Sequence, residues 1–342
     1  LPLGGVMRER LTLATSAFIN AQDFTLVEID FPRPEEPTLA LYDQQLNRLW
    51  LHVGAGVKLH DALSAGIGIF VQPFDSPNRL AGAVGTEGGF EILGDLSLEA
   101  RFYLIAGAIL NGEGVSDSLR GLRVGAVWRQ RTQLDFDLPA LLDLGFPISL
   151  AVRGDGLFTP QEIGVGVAYT WEERLTVALD LAWRDFSEFP SPYTEVSLGN
   201  LGTFLPGVPE FGSSKIDPDF RDTFVPRLGV EYAMEEEGGR RRHAFRGGYA
   251  YIPSPVPEQD GATNIADADR HVFSVGWGLT AVGAFGYAFP KPVTFDVYAS
   301  FTYLDPREDR KGPGADPANP GFPTLRTSGN LASVGAQLTF RF

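Results

Sequence analysis

Between residues 333 and 342 every second residue is apolar. Val334, Ala336, Leu338, Phe340 and Phe342 fall on one face, and Gly335, Gln337, Thr339 and Arg341 on the other. Strict alternation specifies a strand with one face buried and one wet. Such a strand running into a terminal aromatic residue, with no polar tail, predicts the closing strand of a barrel set against lipid. One strand could arise by chance, so the expectation rests on whether the pattern recurs.

It recurs throughout. Candidate strands lie at 10–19, 49–59, 63–70, 98–108, 122–131, 148–170 (broken at Pro160), 175–186, 224–234, 244–252, 271–279, 293–303 and 331–342, about twelve in all. In 175–184, Leu175, Val177, Leu179, Leu181 and Trp183 oppose Thr176, Ala178, Asp180, Ala182 and Arg184. A sandwich core would not bury a charge at every second position, whereas the wet lumen of a barrel accepts one. No apolar run approaches the ~20 residues of a membrane helix. The 44% of hydrophobic residues are therefore spread in alternation.

The connections carry more information than the strands. In chain order they alternate long and short. Residues 20–48, 73–97, 187–223, 253–270 and 305–330 read as long loops. The segments at 60–62, 110–121, 171–174, 235–243 and 281–292 read as turns or shorter links, and 136–147 is intermediate. An up-and-down barrel places alternate connections on opposite rims, so one rim collects the long loops, as in outer-membrane barrels with short periplasmic turns. No domain boundary is legible. Residues 1–342 are read as one all-β domain, an antiparallel up-and-down transmembrane β-barrel of about twelve strands in a Gram-negative outer membrane.

Composition narrows the function. With 43 acidic against 28 basic side chains, a net charge of −15 and no basic cluster, nucleic acid is not an expected partner. There is no cysteine, which excludes thiol chemistry and a disulfide scaffold. No signal peptide precedes Leu1, so one is expected to have been removed or to lie outside this sequence. The four histidines, His52, His60, His243 and His271, lack metal-ligand spacing. His271 and Ser274 lie three apart on one strand and so on opposite faces, which denies them a local nucleophile–base contact. His52 reads as an inward, hydrogen-bonded lumen residue. The glycine-rich 85–89 precedes no helix and is not a phosphate loop. No catalytic residue, metal or cofactor is expected.

Several motifs resemble one family. Arg246-Gly247-Gly248-Tyr249-Ala250-Tyr251 runs into Pro253-Ser254-Pro255-Val256-Pro257, and Asp267-Ala268-Asp269-Arg270-His271 follows. This resembles the strand, "PVP" loop and "D-x-D-R" re-entry of FadL-type long-chain fatty acid and hydrocarbon transporters. Leu122–Arg129, Trp183-Arg184-Asp185-Phe186 and Pro226-Arg227-Leu228-Gly229-Val230-Glu231-Tyr232 resemble further strands of that family in the same order. Members have fourteen strands and an N-terminal hatch carrying Asn-Pro-Ala, which is absent here. The resemblance therefore implies that the hatch and first two strands are missing, in a piece of a longer protein or in a reduced barrel.

The resemblance also implies passive passage of a hydrophobic small molecule by a monomer in contact with outer-membrane lipid or detergent. Apolar residues in the long loops are the expected capture site: Phe24, Leu26 and Phe31 in the first, Phe204, Leu205 and Phe211 in the fourth, with Ile29 and Val208 nearby. Exposed apolar clusters mark ligand or membrane contact, and packing of loop against loop is the alternative. In the family, substrate leaves sideways at a kinked strand. Ser16, Phe18 and Asn20 occupy the matching strand here. Arg123, Arg129, Asp180, Arg184, Arg227, Glu231 and Asp296 are expected in the lumen, tying the interior together or guiding a carboxylate. A phospholipase-like barrel enzyme and an open porin for polar solutes are the competing readings.

Sidedness is directly testable in this cysteine-free background. Single cysteines at Phe204, Asp260 and Asp316 should react with an impermeant maleimide on intact cells, and cysteines at Trp171 and Glu236 should not. Labelling at position 236 reverses the topology.

Overall fold

A computed structural model describes residues 10–18, 35–41, 50–84, 90–143, 147–191, 193, 195–199, 216–236, 240–284 and 287–340. The strands are β1 (Leu11–Phe18), β2 (Trp50–Lys58), β3 (Leu63–Val84), β4 (Phe90–Asn111), β5 (Leu122–Arg129), β6 (Thr132–Asp143), β7 (Pro147–Thr159), β8 (Glu162–Trp171), β9 (Leu175–Arg184), β10 (Glu195–Gly199), β11 (Thr223–Glu235), β12 (Arg241–Ile252), β13 (Arg270–Ala284), β14 (Tyr287–Arg310) and β15 (Thr324–Thr339). Twelve of them form one antiparallel wall in the order β1-β2-β3-β4-β5-β8-β9-β11-β12-β13-β14-β15. This is the number of strands the alternation predicts. The other three, β6, β7 and β10, pair among themselves and reach β3 through a parallel contact at Leu80↔Ala140.

The two faces of the wall separate as the alternation predicts. Leu179 pairs with Leu228, and Asp180 with Arg227. Asp296 pairs with Gln337, and Val297 with Ala336. One face leaves Val334 85%, Val275 64% and Leu179 54% exposed. A soluble domain rarely exposes such a continuous apolar surface, and a lipid belt requires it.

Short connections gather at one end. Leu63 donates its backbone N–H to His60 (3.0 Å) and Arg174 to Trp171 (2.9 Å). In the second turn Glu172 and Glu173 adopt φ 47° and 59°, the left-handed pair that matches the twist of a tight hairpin. Asp61 in the first turn lies below its usual carboxylate range because Lys58 hydrogen-bonds and pairs with it. Asp260 and Asp316 belong to connections at the opposite end from Trp171 and Glu236.

Three expected connections are strand instead. Residues 73–97 extend the β3–β4 ladder from Pro73↔Ala100 to Val84↔Phe90, with a register shift between Pro77 and Arg79. Residues 305–310 and 324–330 belong to β14 and β15, leaving 311–323 between them. Within 281–292 the ladder continues to Ala284↔Tyr287. Proline and aspartate suggested loops here. Proline removes one donor, which a hairpin tolerates where that donor would face away from the ladder or at a bulge.

Because the outer face meets hydrocarbon, Leu179→Arg should destabilise the folded protein by ~2–4 kcal/mol in lipid. Asp180→Asn should cost well under half of that. Urea unfolding in vesicles measures both, and equal losses would contradict the facing.

Candidate functional site

Glycine and alanine dominate the inward positions of five neighbouring strands. Gly54 and Gly56 of β2, Gly66 and Gly68 of β3, Gly107 of β4, Gly125 of β5, and Gly164 and Gly166 of β8 line a cavity of about 990 Å³ with Ala168, Ala178 and Ala182. Ile105, Ile109 and Val127 add bulk to this apolar waist. Bare backbone widens the interior and lets an occupant approach the strands closely.

At the long-loop end of the waist, charge is concentrated on Glu162. Its carboxylate accepts from Arg129 Nη1 and from Arg184 Nε (2.9 Å), and lies 4.0 Å from Arg227 Nη2. Register builds this collar: Arg129 pairs with Glu162 across β5–β8, and Glu162 with Arg184 across β8–β9. Glu162 retains only 9% exposure, and its hydrogen bonds to charged donors offset the loss of hydration. Further round the wall, Arg246 donates to Glu231 (2.7 Å) and Asp296 (2.6 Å). That group is self-neutralising and excludes no further charge from the sheet.

The predicted lumen residues thus form two groups. Arg129, Arg184 and Arg227 meet at Glu162; Glu231 and Asp296 meet at Arg246. Asp180 and Arg123 line the cavity outside both. Glu162 was missed by sequence reading, although a carboxylate directly after Pro160-Gln161 is a detectable strand-start signal. Ser16 lies within β1 opposite His52, and Phe18 ends that strand opposite Trp50. His52 meets the Phe70 ring edge-on at 3.7 Å between centroids. Asn20 and the six expected capture residues, Phe24, Leu26, Phe31, Phe204, Leu205 and Phe211, lie outside the described residues.

Over the long-loop rim sits a packed cap. Leu41, Phe158, Phe186, Tyr193, Phe220, Val256 and Ile265 form a buried apolar cluster, with Phe189 stacked on Phe220. Burial, reinforced by Glu35, pushes the Tyr193 phenol up to about 12. Polar side chains lock the segment after β12. Asn264 donates to Glu35 O and to Asn319 Oδ1, and Arg307 donates to Val256 O (2.8 Å) and Pro257 O (2.6 Å). Lys311 donates to Gln259 O (2.8 Å) and Thr263 O (2.7 Å), and its burial lowers its ammonium pKa. Here apolar loop residues pack loop against loop.

Comparison with known proteins places these features in a family. Residues 155–342 match the profile described as "outer membrane protein transport protein (OMPP1/FadL/TodX)". The long-chain fatty acid transport protein of Escherichia coli O6:H1 (strain CFT073) is 34% identical over 99 residues, covering 29% of this chain and 19% of that protein. The match thus spans about a fifth of that relative's length. A Pseudomonas aeruginosa FadL homologue superposes with TM-score 0.50 at 15% identity, over 85% of this chain and 66% of that one. The TodX deltaS2S3 mutant monoaromatic hydrocarbon channel gives TM-score 0.50 at 14% identity, over 96% of this chain and 77% of that one. These two structures share the fold.

Removing the collar's carboxylate should be costly. Glu162→Ala leaves Arg129, Arg184 and Arg227 without their shared acceptor, and should destabilise the protein by about 2–3 kcal/mol. Glu162→Gln, which keeps the acceptor oxygen, should recover part of that loss in the same urea titration.

Proposed function

The chain belongs to the OMPP1/FadL/TodX family of outer-membrane transport proteins, and from that premise we propose that it passively admits long-chain fatty acids or hydrocarbons. The family places it in the Gram-negative outer membrane and assigns it to transport of hydrophobic substrates. The observation that supports passage through this wall is the Gly/Ala-lined cavity, apolar at its waist and charged at its margins. A hydrophobic molecule gains ~25 cal/mol for each Å² of apolar surface it removes from water. Pockets of this size and lining suit such molecules.

Capture is assigned to Phe24, Leu26, Phe31, Phe204, Leu205 and Phe211 of the long loops, acting beside the packed cap. Ser16, Phe18 and Asn20 are proposed to border a lateral gap. The protein works as a monomer without catalysis. Area-driven capture makes selectivity follow chain length more than headgroup.

Replacing Phe204 and Phe211 together with serine should slow uptake of long-chain substrates by cells while leaving folding intact, as judged by heat-modifiable gel migration. Unchanged uptake in a folded double variant would remove these loops from the mechanism.

A further inference from the structure

The charge of the cavity wall is inverted relative to the chain. The whole sequence carries 43 acidic and 28 basic side chains. The described residues that line the cavity include Arg10, Lys58, Arg123, Arg129 and Arg227, against only Glu162 and Asp180. These cations are not scattered. Arg129 ends β5, and Arg227 reaches the same Glu162 carboxylate. Arg123 lies near the other end of β5, Lys58 ends β2 beside the short turn, and Arg10 precedes β1 there. At ~3.3 Å per residue, Arg123 and Arg129 stand roughly 20 Å apart along one strand. Between the two sets lies the glycine-lined waist.

Neither set is fully neutralised. At the long-loop end, Glu162 is shared by Arg129, Arg184 and Arg227, so one carboxylate faces three guanidinium groups. At the turn end Lys58 pairs with the exposed Asp61 at 2.7 Å, while Arg123 makes no ion pair with any described residue. Guanidinium groups bind carboxylates through paired N–H donors, and the low dielectric beside an apolar wall strengthens that attraction.

We propose that the cavity carries two anion stations, one at Arg129/Arg227 and one at Arg123/Lys58, and takes an amphipathic monocarboxylate. Its apolar body occupies the Gly/Ile waist. Its carboxylate is held first at one end and then at the other, so the headgroup travels along the barrel axis. Glu162 acts as the resident counter-ion that a substrate carboxylate displaces. This inference rests on the transport reading above and adds to it the charge of the permeant and the path of its head.

Equilibrium dialysis of radiolabelled octanoate against the detergent-solubilised chain tests it, with 1-octanol as the neutral probe of the same length. The wild type should bind close to two octanoates per chain, with affinity falling as sodium chloride rises. Arg123→Gln and Arg129→Gln should each reduce this to about one, and the double variant should retain at least tenfold less octanoate. Octanol binding should be the same in all four. Arg123→Lys, which keeps the cation, should retain both sites, and separates loss of charge from loss of fold. A single octanoate site in the wild type would overturn the two-station assignment, as would equal loss of octanol and octanoate in the arginine variants. Octanol binding without octanoate binding would overturn the anion stations while leaving hydrophobic passage standing. Binding of neither probe would remove both readings.

Discussion

Hydrocarbon offers a peptide group no hydrogen-bond partner. Every backbone N–H and C=O at membrane depth must therefore be satisfied by a neighbouring strand. The rest of this structure follows from that demand. It sets a continuous antiparallel ladder from Leu11↔Val57 to Thr294↔Thr339, and the ladder fixes which side chains meet lipid. A slip of one residue would turn Leu179 inward and Asp180 into the bilayer. Arginines and carboxylates can thus line this wall without a folded protein core to bury them.

The same chain solves two different packing problems. Along the wall, apolar side chains point outward and the interior is left open. In the cap, apolar side chains converge, as they do in a soluble domain, around Ile265, Phe186 and Phe220. There, buried polar groups are held by directed hydrogen bonds: Ser254 Oγ donates to Asp267 at 2.7 Å, and Gln259 Oε1 accepts from Ile265 N at 3.0 Å. Leaving such groups unpaired would cost ~1–3 kcal/mol each. The segment from Pro253 to His271 is therefore held by side chains rather than by a strand ladder, and this accounts for its distinctive sequence.

Facing was legible in the sequence because period-two alternation is a local property. Leu179 and Asp180, or Val297 and Asp296, declare their faces from their immediate neighbours. The ionic collar was not legible, because its partners meet only through register. Arg129 and Glu162 lie 33 positions apart, and the β6–β7 hairpin occupies the interval. Pro160 reads locally as a break in one long strand. In space it reverses the chain between β7 and β8, which makes Glu162 a strand start directly opposite Arg129. The extended β3–β4 ladder was hidden for the opposite reason. Pro73, Asp75 and Pro77 carry strong loop signals, and pairing with a long neighbour overrides them. The apolar side chains expected to capture substrate lie on loops whose placement no periodicity encodes.

The glycines of the wall differ in what they would tolerate. A Cβ built on Gly54 would meet only Ile67 O at 3.5 Å and Gly68 Cα at 3.8 Å, and one on Gly56 only Ala65 O at 3.9 Å. Gly68 is similar, with Val53 O at 3.5 Å. These are ordinary van der Waals distances, and none of the three needs a left-handed backbone. Each is a vacant socket facing the cavity. Gly121, at φ 86° in a crowded turn, is not. The calibre of this barrel is thus set by side chains that are absent, at positions the backbone does not require to be empty. Installing alanine, valine or leucine at those sockets would narrow the conduit stepwise, so the girth of the molecules it admits can be graded independently of the ladder that holds it in the membrane.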